Sequence, residues 1–237
     1  MNIINRMLAA VIAITFVSTN SFAGSFGVGV AGHMASISAD GTETPGGTEA
    51  GTENSVKSAT AGNSVGFGSV FAEYNFGEEE RFTLGVDYIP GTADVNSKTL
   101  SRTNVTTSAA ETNQQDGDRS ANAELSSHYT YYGEFVVGGG LFVKAGYAQV
   151  DVKTKDTATG GTAGTYGDVT LDAMTYGIGH KGSFGERGFY KIEGYVTDYD
   201  TFNATGTGSS ENGTSTQNTV TANLDVVGAA LRVGMKF

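Results

Sequence analysis

The stretch N-L-D-V-V-G-A-A-L-R-V-G-M-K-F, Asn223 to Phe237, alternates through its whole length and stops on an aromatic residue. Val227, Ala229, Leu231, Val233, Met235 and Phe237 fall on one face, and Gly228, Ala230, Arg232, Gly234 and Lys236 on the other. A period of two means a strand, and this strand divides an apolar surface from one that carries small residues and two cations. Which surface faces outward decides the class of protein.

The opposite end of the chain bears on that choice. Met1 to Arg6 carries one positive charge, Met7 to Val17 is apolar apart from Thr15, and Ser21-Phe22-Ala23 puts small residues ahead of Gly24. These are the parts of a secretory signal peptide, residues 1–23, with cleavage expected after Ala23, which leaves 24–237 as a single domain. The apolar run is too short for a spanning helix of about 20 residues, and no later run is longer.

Composition points to an exported all-β chain. Cysteine is absent, so neither a disulfide framework nor thiol-ligated metal is available. Glycine supplies 35 of 237 residues and proline only 2, a poor composition for helices, and no 3.6-residue stripe follows residue 23. The formal charge of −11 becomes one unit more negative when Arg6 departs, which argues against nucleic acid as a partner.

Alternating runs predict eight strands: 25–33, 64–76, 81–89, 124–137, 141–153, 169–181, 189–199 and 223–237. The connections between them alternate between long ones (34–63, 90–123, 154–168, 200–222) and short ones (77–80, 138–140, 182–188). Tight turns at one end and long polar loops at the other form the layout of an outer-membrane up-and-down barrel. A soluble barrel would show the same alternation turned inside out. Aromatic residues near the strand ends favour the membrane reading: Phe76, Phe82, Phe135, Phe142, Phe184, Phe189, Tyr190 and Phe237 toward the short turns, and Tyr88, Tyr129, Tyr147 and Tyr199 toward the long loops.

The signal peptide, the eight-strand meander and the closing Gly-Met-Lys-Phe resemble the small outer-membrane β-barrels of Gram-negative bacteria, the class of the OmpA membrane domain, OmpX, OmpW and Opa. The resemblance implies an eight-stranded antiparallel transmembrane barrel in the outer membrane, with lipid and lipopolysaccharide as neighbours. It further implies that Leu231, Val233, Met235 and Phe237 form the signal read by the barrel-assembly machinery, with Met235 standing where a tyrosine is common.

With Phe237 toward lipid, parity sends Arg81, Asp87, Glu134, Lys144, Lys191, Glu193, Arg232 and Lys236 into the interior. Glu73 and Asp172 are expected there too, although strands two and six lose their parity and suggest a bulge. The signs nearly balance, and a barrel of eight strands is just wide enough for side chains to fill, so cross-barrel ion pairs are expected in place of a wide pore. The acidic residues left over, among them Asp40, Glu43, Glu49, Glu53, Glu111, Asp116, Asp118 and Glu211, fall in the loops, where contact with an extracellular ligand or a cell surface would arise.

Motifs for chemistry fail on context. Gly27-Val28-Gly29-Val30-Ala31-Gly32 lacks the strand-to-helix setting of a dinucleotide fingerprint, and Gly62-Asn63-Ser64-Val65-Gly66 lacks that of a nucleophile elbow. Ser126-Ser127-His128 runs in the wrong order for a lipid-deacylating barrel, and His33, His128 and His180 lie on separate strands without metal-ligand spacing. Gly160 to Gly164 lacks the aspartate and the repetition of a calcium-binding glycine repeat. The sequence therefore predicts no enzyme activity and no cofactor, and leaves a structural or surface-recognition barrel, with a narrow channel for ions or small solutes as the alternative.

Overall fold

The computed structural model describes residues 24–44, 57–95, 99–102, 117–159, 166–206, 210–211, 214–215 and 219–237. The predicted signal peptide, the glycine run at 160–164, Glu49, Glu53, Glu111 and Asp116 lie outside them, as do the side chains of Glu43, Asp118 and Glu211. Among the described residues there are twelve strands: β1 (Gly24–Thr44), β2 (Lys57–Phe76), β3 (Phe82–Val95), β4 (Thr99–Arg102), β5 (Gly117–Gly138), β6 (Leu141–Thr159), β7 (Val169–Phe184), β8 (Gly188–Tyr199), β9 (Phe202–Thr205), β10 (Ser210–Glu211), β11 (Thr214–Ser215) and β12 (Thr219–Lys236).

Eight of these, β1, β2, β3, β5, β6, β7, β8 and β12, pair in sequence order, and β12 returns to β1. Antiparallel pairing over 18 steps, from Gly27 with Lys236 to Thr44 with Thr219, closes the sheet on itself. Phe26 and Phe237 then exchange both backbone hydrogen bonds at 3.1 and 2.8 Å, so the terminal aromatic locks the seam. Closure joins the first and last barrel strands, so none of the eight is an edge strand, the condition for placing a sheet in lipid.

Six of the eight barrel strands run further than alternation predicts toward the long connections, whereas β7 and β8 extend only toward the short turn between them. β1, β2 and β5 have 21, 20 and 22 residues, where about 10 tilted residues cross a bilayer. Much of each predicted long loop is thus paired strand that stands beyond the membrane; β1 and β2 remain in register as far as Glu43 and Lys57. Thr/Ser/Gly-rich sequence reads as loop, yet cross-strand pairing forms wherever a neighbour of matching length exists.

The bulges also lie elsewhere than expected. β2 and β7 keep an unbroken register against their neighbours. Their parity looked irregular only because apolar residues, Phe67 and Phe71 on β2 and Leu171 and Ala173 on β7, point into the barrel. The register slips instead between Ile89 and Thr92 on β3 and between Ser126 and Tyr129 on β5. Pro90 has no donor for the ladder, Gly91 takes a φ of 98°, and Ser127 is forced to a φ of 53°. Past this double bulge the inward parity of β5 changes from even to odd, which turns Leu125 toward the interior.

Burial is inverted relative to a soluble domain. Val30, Ile178, Ile192, Val227 and Phe237 are all more than half exposed, whereas Glu134, Lys191, Glu193 and Arg232 are at most 2% exposed. The apolar exterior runs around the whole barrel, and water does not tolerate contiguous apolar patches beyond a few hundred Å². The exterior of this barrel faces lipid. Ile192 sits in that belt beside Leu231 and His180. Ile192→Arg should therefore cost about 2–4 kcal/mol in urea unfolding from lipid vesicles, while a soluble barrel would hardly register the same exposed substitution.

Candidate functional site

Inward parity stacks the charged residues of separate strands at one level of the lumen. Glu73 comes from β2, Asp87 from β3, Glu134 from β5, Lys144 from β6, Lys191 and Glu193 from β8 and Arg232 from β12. All seven are buried. Lys191 Nζ donates to Glu73 Oε2 and to Glu134 Oε2, both at 2.6 Å. Lys144 Nζ donates to Glu193 Oε1 at 2.7 Å, and Arg232 reaches the same oxygen through Nε and Nη2 at 3.0 Å each. The remaining arm of Arg232, Nη1, donates to Asp87 Oδ2. These contacts join β2, β3, β5, β6, β8 and β12 across the axis.

Aromatic rings fill the gaps between the ions. Tyr132 donates its hydroxyl to Glu73 Oε2 at 3.0 Å and turns its face to Lys144 at 4.9 Å and to Arg232 at 5.5 Å. Arg232 also lies 5.3 Å from the ring of Phe71, and Lys191 lies 5.9 and 5.8 Å from Phe142 and Phe189. A desolvated cation gains about 2 kcal/mol or more from such a face. Inward glycines make room for these rings. A Cβ on Gly85 would stand 2.3 Å from Cζ of Tyr132, and one on Gly179 2.5 Å from Cζ of Phe142. The inward Gly27 and Gly29 serve the same packing, next to Phe189 and Phe71.

Several sequence expectations are corrected. Arg81 is not in the lumen: it sits at the short-turn rim, its side chain 63% exposed, and pairs with Glu79 at 2.7 Å. The strand begins one residue later, so parity does not bind it. Asp172 is not inward either, because on β7 the inward residues are Leu171, Ala173 and Thr175; Asp172 accepts from Gln149 at 2.8 Å on the outer face. Phe142 and Phe189 face the lumen and do not join an outer girdle. Tyr199 is also inside, where its hydroxyl meets His128 Nε2 at 2.8 Å. Phe82, Phe135, Phe184 and Phe237 remain outward, and Tyr88 stacks on Tyr129 at 4.6 Å toward the long connections.

Above the ionic level the lumen turns apolar, which the sequence reading missed. Ile37, Val150, Val152, Leu171, Tyr199, Phe202 and Leu224 pack there as one cluster. The signal was present in the strand halves nearest the long connections, where apolar residues occupy the inward parity. Of the other candidates, His33 is buried and shares a 2.9 Å hydrogen bond with Ser69, His180 faces outward, and Ser64 is exposed in mid-strand. Among the described residues, no group of three or more His, Cys, Asp or Glu side chains could hold a metal ion.

The short-turn mouth is tied by Glu80, held at a φ of 48°. Its Oε1 accepts from Ser25 at 2.6 Å, its Oε2 from Lys236, and its backbone carbonyl from Lys181 at 2.8 Å. Lys236 is accordingly three-quarters buried at the rim and paired there, below the ionic level. Partial burial alone would raise the Glu80 carboxyl, but the Lys236 ammonium and the Ser25 hydroxyl outweigh it and hold it below the ordinary glutamate value. The carboxylate thus stabilises the fold above that ordinary value and loses its contribution as pH falls through the depressed one. The stability gap between the native chain and Glu80→Gln, read from urea midpoints, should be widest at pH 7 and shrink steadily on acidification toward pH 3. In the lumen, Lys191→Met leaves Glu73 and Glu134 buried without their cation and should cost about 3–5 kcal/mol, whereas adding Glu73→Gln and Glu134→Gln to it should recover part of that loss.

No family model matches the chain, and no curated protein matches it. Several solved outer-membrane structures are similar in outline. The outer membrane protein OprG from Pseudomonas aeruginosa is 14% identical, with 91% of this chain and 97% of that one covered and a TM-score of 0.45. The outer membrane protease OmpT from Escherichia coli is 9% identical over 93% and 99%, with a TM-score of 0.46. Ail, the attachment invasion locus protein of Yersinia pestis, is 12% identical over 90% and 97%, with a TM-score of 0.36. Likeness at this level carries no functional argument. The chain's own closure, inverted burial and ionic lumen make it an eight-stranded antiparallel membrane-spanning β-barrel, built on the plan of the small outer-membrane barrels.

Proposed function

We propose that this protein is a non-enzymatic outer-membrane barrel that does not conduct ions and serves the envelope as a structural element and a platform for surface contact. The observation that carries the reading is the packing of the charged level, where Phe142 and Thr83 are 0% exposed and Glu134 and Lys191 are 1% exposed. Four carboxylates and three cations engaged with one another, each at most 6% exposed, occupy the axis at that level. An ion crossing that level would have to break pairs already desolvated, at several kcal/mol each.

The strand lengths support the contact role. At about 3.3 Å per residue, a strand of some 20 residues reaches well past a hydrocarbon core of about 30 Å even when tilted. The paired ends of β1, β2, β5 and β6 therefore present their polar tips, exposed Asp40 among them, on a stiff stalk. Binding sites arise readily on segments held by such a scaffold. In the same reading Leu231, Val233 and Met235, outward on β12, and Phe237 just beyond it serve the assembly machinery.

Planar-bilayer recording tests the closed lumen. The native barrel should show no stable conductance, and Glu134→Gln or Arg232→Gln should lower stability without opening a defined level. A reproducible unitary conductance that either substitution shifts would favour the narrow-channel alternative and overturn the closed-barrel reading.

A further inference from the structure

On the lipid-facing side of the barrel, a groove of about 350 Å³ runs along β2 and β3 toward the short turn that joins them. Phe26 of β1 bounds it on one side and Tyr131 of β5 on the other. Between them stand Tyr74, Phe76, Leu84 and Val86, with Ala72 and the backbone of Gly85 beneath. The rings are held by one another: Tyr74 meets Phe76 edge-on at 4.8 Å, and Phe76 meets Phe82 at 5.5 Å. Ala72, Tyr74, Phe76 and Tyr131 are half-buried by this packing, whereas Val30, Ile178 and Ile192 elsewhere on the apolar belt are more than half exposed. Phe76 ends the groove, and the turn at 77–80 follows it directly, closed by the Glu80 amide on the Gly77 carbonyl at 3.2 Å.

We propose that this groove seats one phospholipid of the adjoining leaflet, with an acyl chain between the aromatic walls and a zwitterionic head group, bearing a primary ammonium, on the turn. Apolar contact alone does not select a lipid, because acyl chains are as apolar as the side chains they meet. Selection comes from a shape already in place, which spares part of the ordering cost, and from the head group. The turn carries Glu78, Glu79 and Glu80 ahead of Arg81. Glu80 is occupied at the mouth by Lys236 and Ser25. Glu79 pairs with Arg81 at 2.7 Å, both largely exposed, and Glu78 is exposed with no ion pair or hydrogen bond of its side chain among the described residues. The outside of the turn thus offers one uncompensated carboxylate beside a carboxylate–guanidinium pair. An ammonium satisfies Glu78, and the phosphate that precedes it in the head group suits the planar fork of Arg81. An anionic head group without an amine brings Glu78 only repulsion, and a quaternary ammonium brings charge but no N–H to donate.

A lipid can occupy this groove whether or not ions pass through the lumen, so its seat is independent of the closed-lumen reading. The test places the mature barrel in nanodiscs holding equal parts of phosphatidylethanolamine, phosphatidylglycerol and phosphatidylcholine with identical acyl chains, and releases it in a native mass spectrometer at rising collision energy. One phosphatidylethanolamine should persist after the bulk lipid is stripped, enriched about threefold over either competitor, the size expected of an exposed charge contact. Glu78→Gln combined with Glu79→Gln frees Arg81 and should move the enrichment to phosphatidylglycerol. Ala72→Phe fills the floor of the groove and should abolish the retained lipid while the barrel keeps its folded gel migration before boiling. Should Ala72→Phe fail to fold, Val86→Trp fills the same groove from the facing strand and decides the matter. Lipids retained in bulk proportions, a preference unchanged by the double substitution, a retained lipid that survives the filled groove, or dimers in place of a bound lipid would overturn the proposal.

Discussion

Seven charged side chains held together in a lumen too narrow for bulk water are the constraint on which the rest of the structure depends. Each ion would cost several kcal/mol if buried alone. The chain meets this by sharing: Lys191 serves two carboxylates, and Arg232 joins Asp87 to Glu193 across the axis. Because these partners sit on six different strands, the pairs act as struts that fix strand order and register around the barrel. Aromatic faces line the same level, so charge and packing are settled by one arrangement.

That arrangement accounts for several inward glycines. A large ring in the lumen needs room beside the neighbouring strand, and Gly85, paired directly with Tyr132, or Gly179, paired directly with Phe142, provides it. Glycine in a strand costs conformational entropy and packing. Here the cost is offset where a ring or a guanidinium occupies the space a Cβ would take. Overpacking such a position by a methyl group is worth about 1–3 kcal/mol of destabilisation.

Along its axis the barrel is three regions in one sheet: a mouth closed by Glu80, an ionic level, and an apolar level beneath the projecting strand ends. The double bulge at Pro90, Gly91 and Ser127 marks the passage from the second to the third, since it re-aims β5 and brings Leu125 inward. Among the described residues, exposed acids such as Asp40, Glu78 and Glu79 lie where water and counter-ions screen them. The interior itself keeps one carboxylate in excess of its cations, since Lys191 serves both Glu73 and Glu134.

The eight barrel strands, their order and the inward placement of Asp87, Glu134, Lys144, Lys191, Glu193 and Arg232 were legible in the sequence. Strand parity is a local property of two residues, and an apolar face of constant parity can only lie against lipid or a core. Arg81, Asp172, Phe142, Phe189 and Tyr199 were not legible, because each depends on where a strand starts or on what stands across the lumen. The pairing of particular ions and the apolar upper level belong to the same group. They are contacts between residues far apart in the chain, Asp87 and Arg232, 145 positions apart, among them. Alternation records which side of the sheet a residue occupies; the closing of the barrel alone determines which residue it meets there.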